Sequence, residues 1–203
     1  STAGDVTTNV ASSPVNYHSG TTLTGAVAIG TTNGGGVAAC SLVRLFATLG
    51  GDQTLGVTAG TGGDVTFSGL VGDTTPLGAI TINSANNVTA NGVRAASLVQ
   101  KTGQATTLLN AGTFTATTVE ALNTTGATGV SVTAKAITLK DKLTTSGTGA
   151  VVLSATANSG GLLTLDAAGD IVANGSVDLT GTGGISTAGD VTTNVASSPV
   201  NYH

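Results

Sequence analysis

Few residues in this chain could carry out acid–base or nucleophilic chemistry. The 203 residues include ten acids, six Lys or Arg and two histidines. His18 and His203 are copies of one position, because residues 1–18 and 186–203 have the same sequence. Neither histidine lies in a motif that would supply the nucleophile and the aspartate of a catalytic triad. We expect His18 to be an exposed turn residue, and we expect no catalytic residue.

The densest group of charges is Asp141 with Lys140 and Lys142 on either side. Enzymes that cleave polysaccharides need paired carboxylates, with basic or aromatic groups to hold the sugar. One acid between two lysines does not form such a site. We expect a solvated corner here, and an enzyme is the disfavoured function class.

An aspartate follows a glycine and precedes Val or Ile at four places, Asp5, Asp64, Asp170 and Asp190. Calcium-binding β-solenoids repeat such residues every nine positions, whereas only Asp170 and Asp190 here are spaced about one coil apart. We therefore expect no metal and no other cofactor. We expect each aspartate to accept backbone N–H bonds at a corner. Asparagines at matching corners are expected to accept backbone N–H bonds in the same way and to form amide ladders between coils. These are Asn86, Asn87, Asn91 and Asn174.

Two further kinds of side chain have weaker functional interpretations. Threonines alternate at residues 113–118 and would share one face of a strand, but their spacing elsewhere is irregular. An ice-binding array is therefore a minor hypothesis.

Cys40 is the only cysteine, which excludes an internal disulfide. We expect it to be a small buried apolar residue rather than a reactive thiol.

The rest of the composition predicts strands and tight turns. The chain has 39 Thr and 31 Gly, but only 2% aromatic residues. Thr and Val favour extended strands, and Gly allows sharp corners. Runs at residues 22–29, 79–82, 129–139 and 162–165 alternate apolar with small residues, as half-buried strands do.

Related motifs recur at a spacing close to that between Asp170 and Asp190, which is typical of a solenoid repeat. An antiparallel sandwich or barrel would need larger core residues, whereas a β-solenoid needs only a narrow core of Val, Ile, Leu and Ala. The sequence therefore predicts an all-β parallel β-helix of about nine coils, each of roughly 20 residues. At about 4.8 Å a coil, 185 residues would form a rod of roughly 40–45 Å.

Residues 1–185 are predicted to be one long repeat, and residues 186–203 the start of the next. Neither end shows a capping helix or a charged terminal strand, so we expect the chain itself to be the partner, end to end and through lateral packing. The alternative is that residues 186–203 are a duplicated edge rather than the start of a further repeat.

Alternation is lost at residues 36–50, where we expect a thicker core. A buried strand, or a helix that makes a lateral contact, remains open there.

Two partner classes are excluded by composition. The net charge of −4 and the pI of about 4.7 argue against nucleic acid, which requires a basic surface. No stretch approaches 18 uninterrupted apolar residues, so we expect no membrane-spanning segment.

Three segments resemble the giant β-strand-repeat, filamentous haemagglutinin-like surface proteins of bacteria. They are residues 62–69 (Gly-Gly-Asp-Val-Thr-Phe-Ser-Gly), residues 75–92 and residues 178–193. The resemblance covers most of the chain and is weakest at residues 36–50. It implies secretion, a right-handed parallel β-helix and a role in surface structure or adhesion. It offers no catalytic residues to transfer, and a carbohydrate or host-surface ligand would belong to another part of a full-length protein.

Together these observations predict a segment of an extracellular bacterial filament or sheath, built from tandem 185-residue β-solenoid repeats. The alternative is the stalk of a giant adhesin, which would present a separate binding tip. The two differ in whether rods pack side by side.

Overall fold

The computed structural model describes residues 1–8, 10, 12–32, 41–110, 122–156 and 160–203, with the side chain of residue 110 left out. Within these residues the secondary structure is entirely β, and every pairing between strands is parallel. The described part of the chain contains no helix that is long and apolar enough to cross a membrane.

The strands stack in three columns, which the chain visits in the order 1, 2, 3 in each turn. Column 1 contains β3 (Thr21–Thr22), β6 (Leu49–Gly50), the first parts of β11 (Val93–Gln100) and β13 (Leu122–Ala134), β15 (Leu143–Thr145), β18 (Ile171–Ala173) and β21 (Val191–Thr193). Column 2 contains β1 (Val6–Thr7), β4 (Val27–Gly30), β7 (Leu55–Thr58), β9 (Leu77–Ser84), the later parts of β11 and β13, β16 (Val151–Ala155), β19 (Val177–Gly181) and β22 (Val200–Tyr202). Column 3 contains β2 (Val15–Tyr17), β5 (Val43–Leu45), β8 (Val65–Phe67), β10 (Val88–Asn91), β12 (Thr106–Asn110), β14 (Ala136–Leu139), β17 (Leu162–Leu165) and β20 (Gly184–Thr187).

The eight strands of column 3 are separated by seven turns of the chain. These turns lead from Val15 to Ile185 and average roughly 24 residues each, a usual size for a solenoid repeat. Their lengths differ, since the turn from Leu77 to Ala95 is short and the turn from Ser97 to Gly129 is long. The predicted parallel β-helix is confirmed. The predicted number of nine coils is slightly too high, because the connections between strands differ in length and most turns are longer than 20 residues.

Alternation along each strand produces a single narrow core. In β16, Val151, Leu153 and Ala155 are fully buried, whereas Val152 and Ser154 between them are half-buried. Equivalent positions in neighbouring turns place Val, Ile, Leu or Ala on one another, so the core runs continuously along the stack. Small and β-branched side chains suit this space because each turn adds only about 4.8 Å of height.

Glycines allow neighbouring turns to approach closely at some corners. A Cβ on Gly149 would lie 2.3 Å from the Cα of Gly129, and one on Gly175 would lie 2.6 Å from the carbonyl oxygen of Gly149. Gly129 also has a φ of 67°, a conformation that favours glycine. These three residues stack at the corner between columns 1 and 2.

The apolar stretch at residues 36–50 is described from residue 41 onward. It provides β5 and β6, with Val43, Leu45 and Leu49 in the core. Phe46 points outward and is 43% exposed. Residues 36–40, including Cys40, lie outside the described residues, and so do the alternating threonines at 113–118.

Candidate functional site

The repeated Gly-Asp pairs form corners that lead into all three columns. Asp5 precedes β1 in column 2, and Asp64 precedes β8 in column 3. Asp170 and Asp190 precede β18 and β21, both in column 1. One short motif therefore serves as the entry to a strand at any corner of the coil.

At three of these corners the aspartate joins its own turn to the next one. Asp5 Oδ1 accepts the backbone N–H of Ala28 at 2.7 Å, and Asp170 Oδ1 accepts that of Asp190 at 2.9 Å. Asp64 Oδ1 accepts the backbone N–H of Asn87 at 3.0 Å. The predicted role of these aspartates as acceptors of backbone N–H bonds at corners is confirmed.

Asparagine side chains extend these links along the rod. The amide of Asn194 donates to Oδ1 of Asn174 at 3.1 Å, which confirms an amide ladder at that corner. The amides of Asn86 and Asn87 instead donate to Asp64 Oδ1, at 3.1 and 3.0 Å. Asn87 Oδ1 in turn accepts the backbone N–H of Thr106 at 3.1 Å.

Asn91 donates its amide to the carbonyl oxygen of Ser68 in the preceding turn, at 3.3 Å. The asparagines thus bond to carboxylates and backbone groups as well as to one another, and Asn87 has the predicted role of accepting a backbone N–H bond at a corner.

The two identical segments have closely similar local structure at the residues that are described in both. Residues 1–18 form β1 and β2, and residues 186–203 form β21 and β22 at the corresponding positions. The turn between the strands places Ser12 at a φ of 65° and its counterpart Ser197 at 77°. An N–H to C=O bond closes each turn, from Ser13 to Val10 at 3.3 Å and from Ser198 to Val195 at 3.1 Å. The turn conformation therefore follows from the local sequence.

The two copies nevertheless lie in different columns. β1 and β2 lie in columns 2 and 3, whereas β21 and β22 lie in columns 1 and 2. The offset from Ser1 to Ser186 thus covers seven turns plus two of the three columns of the next turn. That residues 186–203 begin a further repeat stays a prediction.

His18 follows β2 and is exposed, as predicted for a turn residue. Its ring stacks on Phe46 with a centroid separation of 4.7 Å and an interplanar angle of 8°. The backbone N–H of Phe46 donates to the carbonyl oxygen of Tyr17 at 2.9 Å, which holds the two turns together at this corner. The contact between His18 and Phe46 was not predicted from the sequence. The sequence did contain a signal, because each ring directly follows a short run of alternating residues that ends in a large side chain, Tyr17 or Leu45.

Asp141 lies at the corner between β14 and β15, where a solvated turn was predicted. Its Oδ1 accepts the backbone N–H of Lys142 at 2.7 Å, a local turn contact, and Lys140 is exposed. Across the described ranges, no three His, Cys, Asp or Glu side chains are close enough to hold a metal ion together.

An open groove of about 370 Å³ runs beside column 1 and is lined by Gly and Thr residues of three successive turns. Among the described residues that line it, Asp73 is the only ionisable one. The Asp73 carbonyl oxygen accepts a bond from the Arg94 guanidinium at 3.1 Å. One carboxylate among hydroxyl groups does not supply the acid and base of a hydrolase.

Comparison with protein-family models, curated proteins and solved structures found no match to this chain. The resemblance to filamentous haemagglutinin-like proteins therefore stays a prediction.

Proposed function

We propose that this chain is a structural segment of an extracellular filament or sheath, built from tandem 185-residue β-solenoid repeats. The observation that carries the proposal is that the 18-residue segment forms the same two strands and the same turn at both of its positions. A sequence that builds an equivalent piece of coil wherever it recurs is suited to a rod of repeating units.

The outward faces support a structural role. The outward row of column 3 consists mainly of hydroxyl and amide side chains, with one charge. Its members are Asn16, Arg44, Thr66, Thr89, Leu108, Thr138, Thr164 and Ser186. Ligand sites are usually concave and mostly apolar, with a few converging polar groups. A row of short polar side chains instead offers a flat surface along which rods can pack.

The backbone bonds between turns run along the rod axis, so each added turn lengthens the rod without a new kind of interaction. The proposed location at the bacterial surface rests on the resemblance of residues 62–69, 75–92 and 178–193 to filamentous surface proteins.

Electron microscopy of chains with two, three and four tandem copies of residues 1–185 tests the proposal. One copy spans seven and two-thirds turns, so each copy should add about 37 Å of rod at about 4.8 Å a turn. Rods that bundle side by side would favour a filament or sheath, and rods that stay single would favour an adhesin stalk. Particles whose length does not grow with the number of copies would refute both.

A further inference from the structure

We infer that residues 186–203 present a docking edge for residues 19–46 of a further copy of this sequence. These residues would continue the coil, but each of their strands would lie one column earlier than the same strand of the first copy. The inference rests on the proposed function, because it assumes that the repeat continues. It adds a partner segment, its contacts and a rotation between repeats.

Residues 1–18 show how such a segment is held. The backbone N–H of Thr24 donates to the carbonyl oxygen of Thr2 at 2.8 Å, and that of Ala28 donates to Asp5 Oδ1 at 2.7 Å. At the end of the segment, Phe46 stacks on His18. Backbone and side-chain groups of the 18-residue segment thus define the position of the turn that follows it.

The same groups recur in residues 186–203 on the edge that faces away from the preceding turn. Within the described residues, Asp190 is exposed and no hydrogen-bond partner of its carboxylate is seen. Tyr202 occupies an inward-facing position of column 2, in register with the buried Leu179, yet it is 54% exposed. His203 uses its backbone to bond to the turn of Leu179, which leaves its ring available. An edge with these groups matches what holds residues 19–32 and 41–46 in the first turn.

The register determines where the docked segment would lie. Val200 pairs with Val177 in column 2, so the strand after His203 falls in column 3. The corresponding strand β3 lies in column 1 of the first copy. Each 185-residue repeat would therefore start one column earlier than the repeat before it.

Such a shift is compatible with the core and the corners. Inward positions in all three columns carry mainly Val, Ile, Leu and Ala, with a few buried threonines, and Gly-Asp corners lead into each column. Three repeats restore the starting column after about 23 turns, or about 110 Å of rod. A feature that occurs once per repeat, such as the stack of His18 on Phe46, would face three sides of the rod in succession.

Disulfide trapping in the 203-residue chain tests the column shift. In a Cys40→Ser background, Asp178→Cys with Asn201→Cys places two thiols on neighbouring column 2 strands, where Asn201 now donates to Asp178. If β22 instead lay in column 3, as its counterpart β2 does, Asn201 would lie beside Ser186 on the neighbouring column 3 strand, β20. The matched control is therefore Ser186→Cys with Asn201→Cys.

Mild oxidation should remove both free thiols of the first pair and leave both thiols of the control pair. Asn16→Cys with Arg44→Cys, on paired strands of the first turn, shows that this geometry can form a disulfide. The opposite pattern, with oxidation of the Ser186 pair, would overturn the column shift.

A longer chain tests the docking edge. Residues 1–203 are followed by a second copy of residues 19–46, with Cys40→Ser in both copies, Asn201→Cys and a cysteine at the added counterpart of Arg44. Oxidation should join the two thiols, and a chain with the added segment in scrambled order should keep them free. Equal trapping in both chains, or none in either, would overturn the docking edge. The proposed function is judged separately, by rod length against the number of repeats.

Discussion

Removal of the Asp64 carboxylate should measure how much a Gly-Asp corner stabilises the rod. Asp64 Oδ1 accepts three hydrogen bonds from the next turn, one from the Asn87 backbone and two from side-chain amides. In Asp64→Ala the half-buried backbone N–H loses its acceptor, at a cost of about 1–3 kcal/mol. The side-chain amides of Asn86 and Asn87 can bond to water instead, so the loss of their two bonds adds little to this cost. We therefore expect the free energy of unfolding to fall by about 2 kcal/mol, the middle of that range.

Two further variants sharpen this prediction. Asp64→Asn keeps an acceptor oxygen but loses its charge, so we expect a loss of about 1 kcal/mol. Asp190→Ala removes the same side chain from the same motif where it is exposed and where no hydrogen-bond partner of its carboxylate is seen among the described residues. Its effect should stay within about 0.5 kcal/mol.

Urea denaturation gives the free energies, and hydrogen exchange of the Asn87 amide reports directly on the lost bond. Protection at Asn87 should fall in Asp64→Ala and stay unchanged in Asp190→Ala. Equal destabilisation by both alanine variants, or unchanged protection at Asn87, would refute the claim that the corner aspartate acts through bonds to the next turn.

Three other substitutions, one of them with a matched control, probe the core, the turn and the pH response. Leu153→Ala should lower the unfolding free energy by about 2–5 kcal/mol, because its buried side chain leaves a cavity, whereas the outward Val152→Ala should change it by less than about 0.5 kcal/mol in urea denaturation. Ser197→Gly should raise the melting temperature, with a gain of about 1 kcal/mol, because its φ of 77° strains any residue with a Cβ. Burial raises the pKa of Tyr17 above its ordinary value of 10.0. The unfolded chain therefore ionises first, stability is full below about pH 10 and falls as the pH rises through the folded pKa, and Tyr17→Phe should reduce that alkaline loss.

Contrary outcomes are equally defined. A Leu153→Ala variant no less stable than Val152→Ala would contradict the inward and outward assignment of β16. A lower melting temperature for Ser197→Gly would contradict strain at that serine. Alkaline unfolding curves that coincide for Tyr17→Phe and the unchanged chain would show that burial of Tyr17 does not affect stability.

Local features of this fold could be predicted from the sequence because they depend on nearby residues. Alternation identified strands such as β14 and β17, and the Gly-Asp pairs identified corners at which the carboxylate accepts a backbone N–H. The scarcity of large side chains favoured a thin stacked core over a sandwich. Each of these inferences needs only a few residues and elementary geometry.

The register between turns could not be predicted in the same way. The identical segments at residues 1–18 and 186–203 lie in different columns, so their own sequence does not determine the column. The column depends on the summed lengths of all intervening turns, including the long one between Ser97 and Gly129. The stack of His18 on Phe46 was missed for the same reason, because it joins residues of different turns whose spacing follows from that register.

The length of the coil also determines how such a rod would respond to tension. Each turn contributes about 4.8 Å to the rod, but its roughly 24 residues would extend to about 80 Å once freed. A pull along the axis acts across the end strand and breaks its bonds one after another, so the load detaches a single turn at a time. Each detached turn therefore adds a length of about sixteen times its own folded height. The remaining turns stay folded and carry the load.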